Sequence, residues 1–159
     1  MTIYGRMYDS ASQTFPANSE LNAYYFNGHF NHTPVSYGLG RVWIDVLNNA
    51  PNACSWLDVE RFDASPADVP GWLDRRNMPG NQGIYCNQST LAAVRKAAGN
   101  RVYNLWIATL DGNTNPAIPS GPGKLVAVQA FPASMLGFDA DESVIVNYDY
   151  WHAHALRPK

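Results

Sequence analysis

The chain carries two carboxylates one residue apart, Asp58-Val59-Glu60, at the end of the apolar run CSWLDVE (54–60). In a strand, side chains i and i+2 leave the same face, roughly 6–7 Å apart by the strand rise. Like charges that close raise one pKa and resist burial, so the pair either sits in water or does chemistry. Glycoside cleavage is chemistry that needs such a pair. A carboxyl with a raised pKa protonates the leaving oxygen, and a second carboxylate steadies the positive charge growing on the sugar. Further acids stand at or near strand ends: Asp9 before SAS, and Asp139 and Asp141 in FDADE (138–142). Tyr25, Trp106 and Gln129 lie within strands, where aromatic faces and an amide can hold a sugar ring. Each has a second reading. Asp9 and Asp141 are also turn or capping residues by type, and Trp106 and Gln129 are also packing and backbone-bonding ones. Asp45, mid-strand in VWIDVL, either faces the interior or pairs with an arginine.

The elements that must position these groups follow from the apolar pattern. Short apolar segments bounded by turn residues predict eight strands, over 3–9, 22–28, 41–47, 54–60, 82–87, 103–110, 124–131 and 142–151. The period changes after the fourth. Ser65 reads as an N-cap, with Pro66 at the first helical position, Asp68 in the first turn and the Gly80 region as the stop. Ser89 caps a second helix, TLAAVRKAAG (90–99), closed by Gly99 and Asn100. DGNTNPAIPSGPG (111–123) is a loop. Helices between the fourth and sixth strands predict parallel β-α-β units, and eight strands predict a barrel whose active face is the C-terminal strand ends. Full barrels take about 200 residues or more, and the connections after the first three strands are too short for helices. The expected fold class is therefore α/β: one domain over 1–159, built as a compact or incomplete (β/α)8 TIM-like barrel with short connections in its first half. A doubly wound sheet is the alternative, but no Gly-rich phosphate loop marks it; GLGR at 38–41 is too short and reads as a turn.

Composition narrows the partners. The chain has 159 residues, 15% of them charged, with five Trp, nine Tyr and six Phe, which favours a folded domain over a disordered one. A net charge of −2 and scattered Lys and Arg give no footprint for nucleic acid. No apolar run approaches the ~20 residues of a membrane span. The N-terminal MTIYGRMYDSASQTF has no apolar signal core, so delivery by a standard signal peptide is not expected. Cys54 and Cys86 fall at opposite ends of adjacent strands, on the order of 10 Å apart or more by strand rise, and are expected as free thiols. With two Cys and four His, no metal site is expected; the HAH of 152–154 reads as a solvated tail.

WLDVE, GIYCNQSTL, LWIATLDG, VAVQAF and FDADESVIV follow one another in the order and spacing of glycoside hydrolase family 25 lysozymes. The chain resembles most closely the family-25-like domains of actinobacteria and their bacteriophages, which often contain the phrase LDVE…DA(T/S)PADVPGW. The likeness is strongest over 54–147. It implies a muramidase that cuts the β-1,4 bond between N-acetylmuramic acid and N-acetylglucosamine in peptidoglycan, without a cofactor. By position, Glu60 would be the general acid/base and Asp58 would orient the substrate's 2-acetamido group. Asp9 would be the first-strand acid, and Asp141, or else Asp139, the last-strand acid. The chain departs from the pattern in two strands: GRMYDSASQ stands for the family's GIDVSxxQ, and VQAF for WQY. The likeness places the protein in the host cytoplasm until lysis, or on a virion, acting at the cell wall as an endolysin or virion protein. The alternative is a non-catalytic barrel serving as a phage tail or decoration protein, or as a wall-binding module, with other virion proteins as partners.

Overall fold

A computed structural model describes residues 1–12, 14–17, 19–30, 41–50 and 54–154. Apart from Arg41, the turn expected at 38–41 lies outside them. Eight strands close into one barrel in chain order: β1 (Gly5–Asp9), β2 (Leu21–Tyr25), β3 (Arg41–Asp45), β4 (Trp56–Val59), β5 (Gly83–Asn87), β6 (Asn104–Ala108), β7 (Lys124–Phe131) and β8 (Asp141–Ile145). Among the described residues four α-helices accompany them, α1 (Val69–Arg76), α2 (Leu91–Ala98), α3 (Ala133–Leu136) and α4 (Tyr148–His154). The α/β barrel expected from the strand pattern is present, and its strands are mixed. β1 to β7 run parallel, whereas β8 is antiparallel to both β7 and β1. The link over 132–140 is shorter than the dozen or so residues of a parallel crossover, so the chain turns straight back.

Alternation along each strand sorts side chains between two layers. Met7, Ala23, Ile44, Trp56, Tyr85, Trp106, Ala127 and Ile145 fill the interior. Leu57, Val59, Ile84, Cys86, Leu105 and Ile107 point outward, under Val69, Trp72 and Leu73 of α1 and Leu91, Val94 and Ala98 of α2. Trp56 and Trp106 meet edge to face at 5.6 Å, and Gly83 leaves the space that the Trp56 ring occupies.

The helical jacket is partial. Among the described residues, the connection after β1 holds no helix and that after β2 a single 3-10 turn, Gly28–Phe30. Asp45 braces this side. It faces outward, fully buried, and its Oδ2 accepts from Trp72 Nε1 of α1 at 3.0 Å and from the Ala50 amide at 3.1 Å. Its Oδ1 accepts from Asn27 Nδ2 at 2.8 Å, and Arg75 Nη2 lies 4.0 Å from Oδ2. Of its two expected roles, pairing with an arginine is the one observed. The loop over 111–123 is tied to α2 through Arg95, whose guanidinium donates to the carbonyls of Pro119 at 2.7 Å and Pro122 at 3.0 Å.

Three local expectations are corrected. The first helix does begin at Ser65, whose amide donates to Asp68 Oδ2 at 2.8 Å, but its first turn is 3-10 and its stop is Asn77 in the left-handed region, before Gly80. Thr90, not Ser89, is the N-cap of α2, and the side chain serving that end is Asn87, whose Oδ1 accepts from the Thr90 amide at 3.0 Å. The run over 142–151 is not one strand. β8 stops at Ile145, Asn147 Oδ1 accepts from the Tyr150 amide at 3.0 Å, and 148–154 is α4 rather than a strand end followed by a solvated tail. Tyr150 plugs the base of the barrel, accepting from Trp56 Nε1 at 3.0 Å, and His154 stacks on it at 4.2 Å. Cys54 and Cys86 are buried free thiols, each pushed up to about 12 by burial. No helix among the described residues is long and apolar enough to cross a membrane.

Candidate active site at the barrel mouth

The C-terminal ends of the parallel strands open on one mouth, and the reversed β8 brings its first residue there too. Asp141 is therefore the register partner of Asp9, the last residue of β1. On β4 the period-2 rule holds: Trp56 and Asp58 point in, and Leu57 and Val59 point out. Glu60, one residue past the strand, continues the inward row beside Asp58. Asp9, Asp58, Glu60 and Asp141 thus meet at one end of the barrel, each within electrostatic reach of one or more of the others.

Gln129 on β7 organises the inner wall. Its Nε2 donates to Asp9 Oδ1 at 2.8 Å and lies 3.4 Å from Asp141 Oδ2, while its Oε1 accepts from the Tyr85 hydroxyl at 2.6 Å. Tyr25 on β2 donates its hydroxyl proton to Asp9 Oδ2 at 2.8 Å. Asp141 Oδ1 takes the Ala133 amide at 2.6 Å, at the start of α3. Tyr85 and Asn87, both inward residues of β5, stand near enough to Glu60 to oppose the rise of its pKa.

Burial and crowding raise every one of these acids. Asp9 is pushed up to about 7, first by burial and then by the Asp141 charge, against the hydrogen bonds from Tyr25 and Gln129. Asp58 is raised well above the usual carboxylate range by burial and then by Glu60. Glu60 is raised by burial and by Asp63, with Tyr85 and Asn87 pulling the other way. Asp141 rises through burial, opposed by the Ala133 amide. Glu60 and Asp141 are half-buried where Asp9 and Asp58 are buried, so these two acids combine a raised pKa with an open side.

Of the residues singled out in the sequence, Asp9, Asp58, Glu60, Asp141, Tyr25 and Gln129 come together. Asp139 is an exposed rim residue; it lines a cavity of about 140 Å³ with Asp9, Ser10, Tyr25 and Asp141. Trp106 has no exposed surface. It is fully buried below the acids, donating to Ser143 Oγ at 2.9 Å with its ring against Tyr85 at 4.9 Å. It is the floor of the site, because residues of β6 deeper in the barrel fill the space between strands. Gln129, at 2% exposure, likewise orders the acids instead of meeting solvent.

Four residues were not foreseen. Tyr85 and Asn87 follow from the same i, i+2 logic applied to GIYCN, counted from Gly83. Asp63 folds back through a turn, its amide donating to the Glu60 carbonyl at 3.2 Å, and Asp58, Glu60 and Asp63 then bring carboxylate oxygens within 4.8 Å of one another. Phe62 sits between them with φ at 78° and 79% of its surface exposed, with the Arg61 guanidinium 4.7 Å from its ring centre. A cavity of about 270 Å³ opens at the opposite end, against α4, lined by Asn104, Lys124, Asp149 and His154 and by none of these acids. No protein-family model, curated protein or solved structure matches the chain.

Proposed function

We propose that the chain is a glycoside hydrolase of the muramidase type, a trimmed (β/α)8 barrel that cleaves the glycan strand of peptidoglycan. The observation that carries this reading is the convergence of Asp9, Asp58, Glu60 and Asp141 on one open mouth, each with a raised pKa. Glu60 is the general acid/base. Its raised pKa keeps a proton available nearer neutral pH. Asp58, buried beneath it with Oδ1 free of any hydrogen bond, is placed to hold the sugar's acetamido group against the anomeric carbon. Asp9 and Asp141, joined through Gln129, form the far wall. Phe62 offers a flat apolar face at the rim for a sugar ring.

A structural barrel that had lost catalysis would neutralise Glu60, with Arg6 or Arg61 as the partner. Arg6 instead pairs with Glu142 on the outer wall, and Arg61 lies over Phe62. The test is clearing of purified actinobacterial cell walls, with reducing ends counted in parallel for the wild type and for Glu60→Gln. Clearing with reducing-end release that disappears in the variant supports the reading. A folded wild type that releases no reducing ends from several wall types ends it.

A further inference from the structure

Asp58, Glu60 and Asp63 bring carboxylate oxygens within 4.8 Å of one another. Two oxygens that each bind a Ca2+ at about 2.4 Å can be at most about 4.8 Å apart, so each pair of the three meets the limit that a shared ion sets. A Mg2+ at about 2.1 Å needs a tighter set, within about 4.2 Å. Every donor is a carboxylate, with no sulfur or imidazole, the set of a hard cation and not of zinc.

A second observation is separate from the clustering. Asp58 is 5% exposed and its Oδ1 has no hydrogen-bond partner. A buried carboxylate oxygen left unpaired costs free energy that a donor or a cation would return. The oxygen belongs to the buried member of the three, and the other two are half-buried.

We propose that Asp58, Glu60 and Asp63 bind one divalent cation of the Ca2+ class, with water completing its shell. The assignment rests on carboxylate geometry and does not need the glycan reading. Where both hold, cation and glycan compete, because an ion on Glu60 occupies the oxygens that must hold and pass the proton.

The test is calorimetric titration of the chelator-treated full chain with CaCl2, and with MgCl2 and ZnCl2 for comparison. The Ca2+ is carried to about 10 mM, above the weakest class of natural Ca2+ sites. The expected result is one site per chain that prefers Ca2+. It weakens at least about tenfold in Asp63→Asn, which keeps the side-chain shape and removes one charge. Asp139→Asn, on the same rim but outside the cluster, keeps the wild-type affinity. Circular dichroism confirms that both variants fold. No Ca2+ binding by the wild type, or equal binding by Asp63→Asn, overturns the proposal. Because heat is read without glycan, a chain that cuts glycan but ignores Ca2+ fails only this proposal, and one that binds Ca2+ but cuts nothing fails only the other.

Discussion

Asp9 is pushed up to about 7 by burial and by the Asp141 charge, and stability should depend on pH for that reason. A carboxyl whose pKa is higher in the fold than in the unfolded chain contributes stability below the unfolded value and loses it as the pH rises through the folded value. For Asp9 these values are 3.8 and about 7. Between about pH 5 and about pH 8, its ionisation withdraws roughly 2–3 kcal/mol from the folded state, an upper figure since burial and coupling are shared with Asp141. Asp9→Asn should remove that dependence. The amide keeps an oxygen for Gln129 Nε2 and turns its nitrogen toward the Tyr25 hydroxyl, the two groups Asp9 now engages. The assay is urea unfolding followed by Trp fluorescence at both pH values. The wild-type midpoint should fall from pH 5 to pH 8, and the fall should shrink in Asp9→Asn. Any slope that remains belongs to Asp58, Glu60 and Asp141, which are raised as well. A wild-type midpoint that does not move, or an Asp9→Asn chain with the full wild-type slope, would refute the reasoning.

Other expectations follow from single contacts. Gly83→Ala pushes a methyl into the Trp56 ring and should cost about 1–3 kcal/mol in the same unfolding assay, without changing the slope against urea. Phe62→Ala should raise KM for glycan about fivefold with kcat held, and Phe62→Trp should restore it, since a rim aromatic gives about 1 kcal/mol of apolar cover to a bound ring. Asp58, holding the acetamido group against the anomeric carbon, leads to two successive displacements at that carbon. The first sugar product should therefore keep the β configuration, as read by proton NMR before mutarotation; an α product would contradict the geometry.

The sequence carried strand number and side-chain parity well, because alternation is a local property that tertiary contacts cannot reverse without exposing a core face. Asp58 and Glu60 share a face for that reason, and Tyr85 and Asn87 were readable the same way. Strand direction was not readable. The pattern of 141–145 is the same parallel or antiparallel, and only the short link before it forces the reversal that puts Asp141 beside Asp9. The run YDYWHAH is rich in β-forming aromatics, yet it forms α4 because Asn147 caps its start and Tyr150 finds the open base of the barrel. Depth within the barrel was equally hidden. Trp106 and Gln129 both point inward, but one is floor and the other wall, and a residue's height along the barrel depends on strand tilt and register.

The central claim is that this mouth breaks a glycosidic bond with Glu60 as its acid. The most direct measurement is digestion of purified peptidoglycan, borohydride reduction of the soluble fragments, and mass spectrometry of the reduced ends, for the wild type and for Glu60→Gln. The account predicts fragments ending in reduced N-acetylmuramic acid from the wild type, falling about 10²–10⁴-fold in a variant that is folded equally well. Glycan fragments formed at an equal rate by Glu60→Gln, or none from the folded wild type, would contradict it.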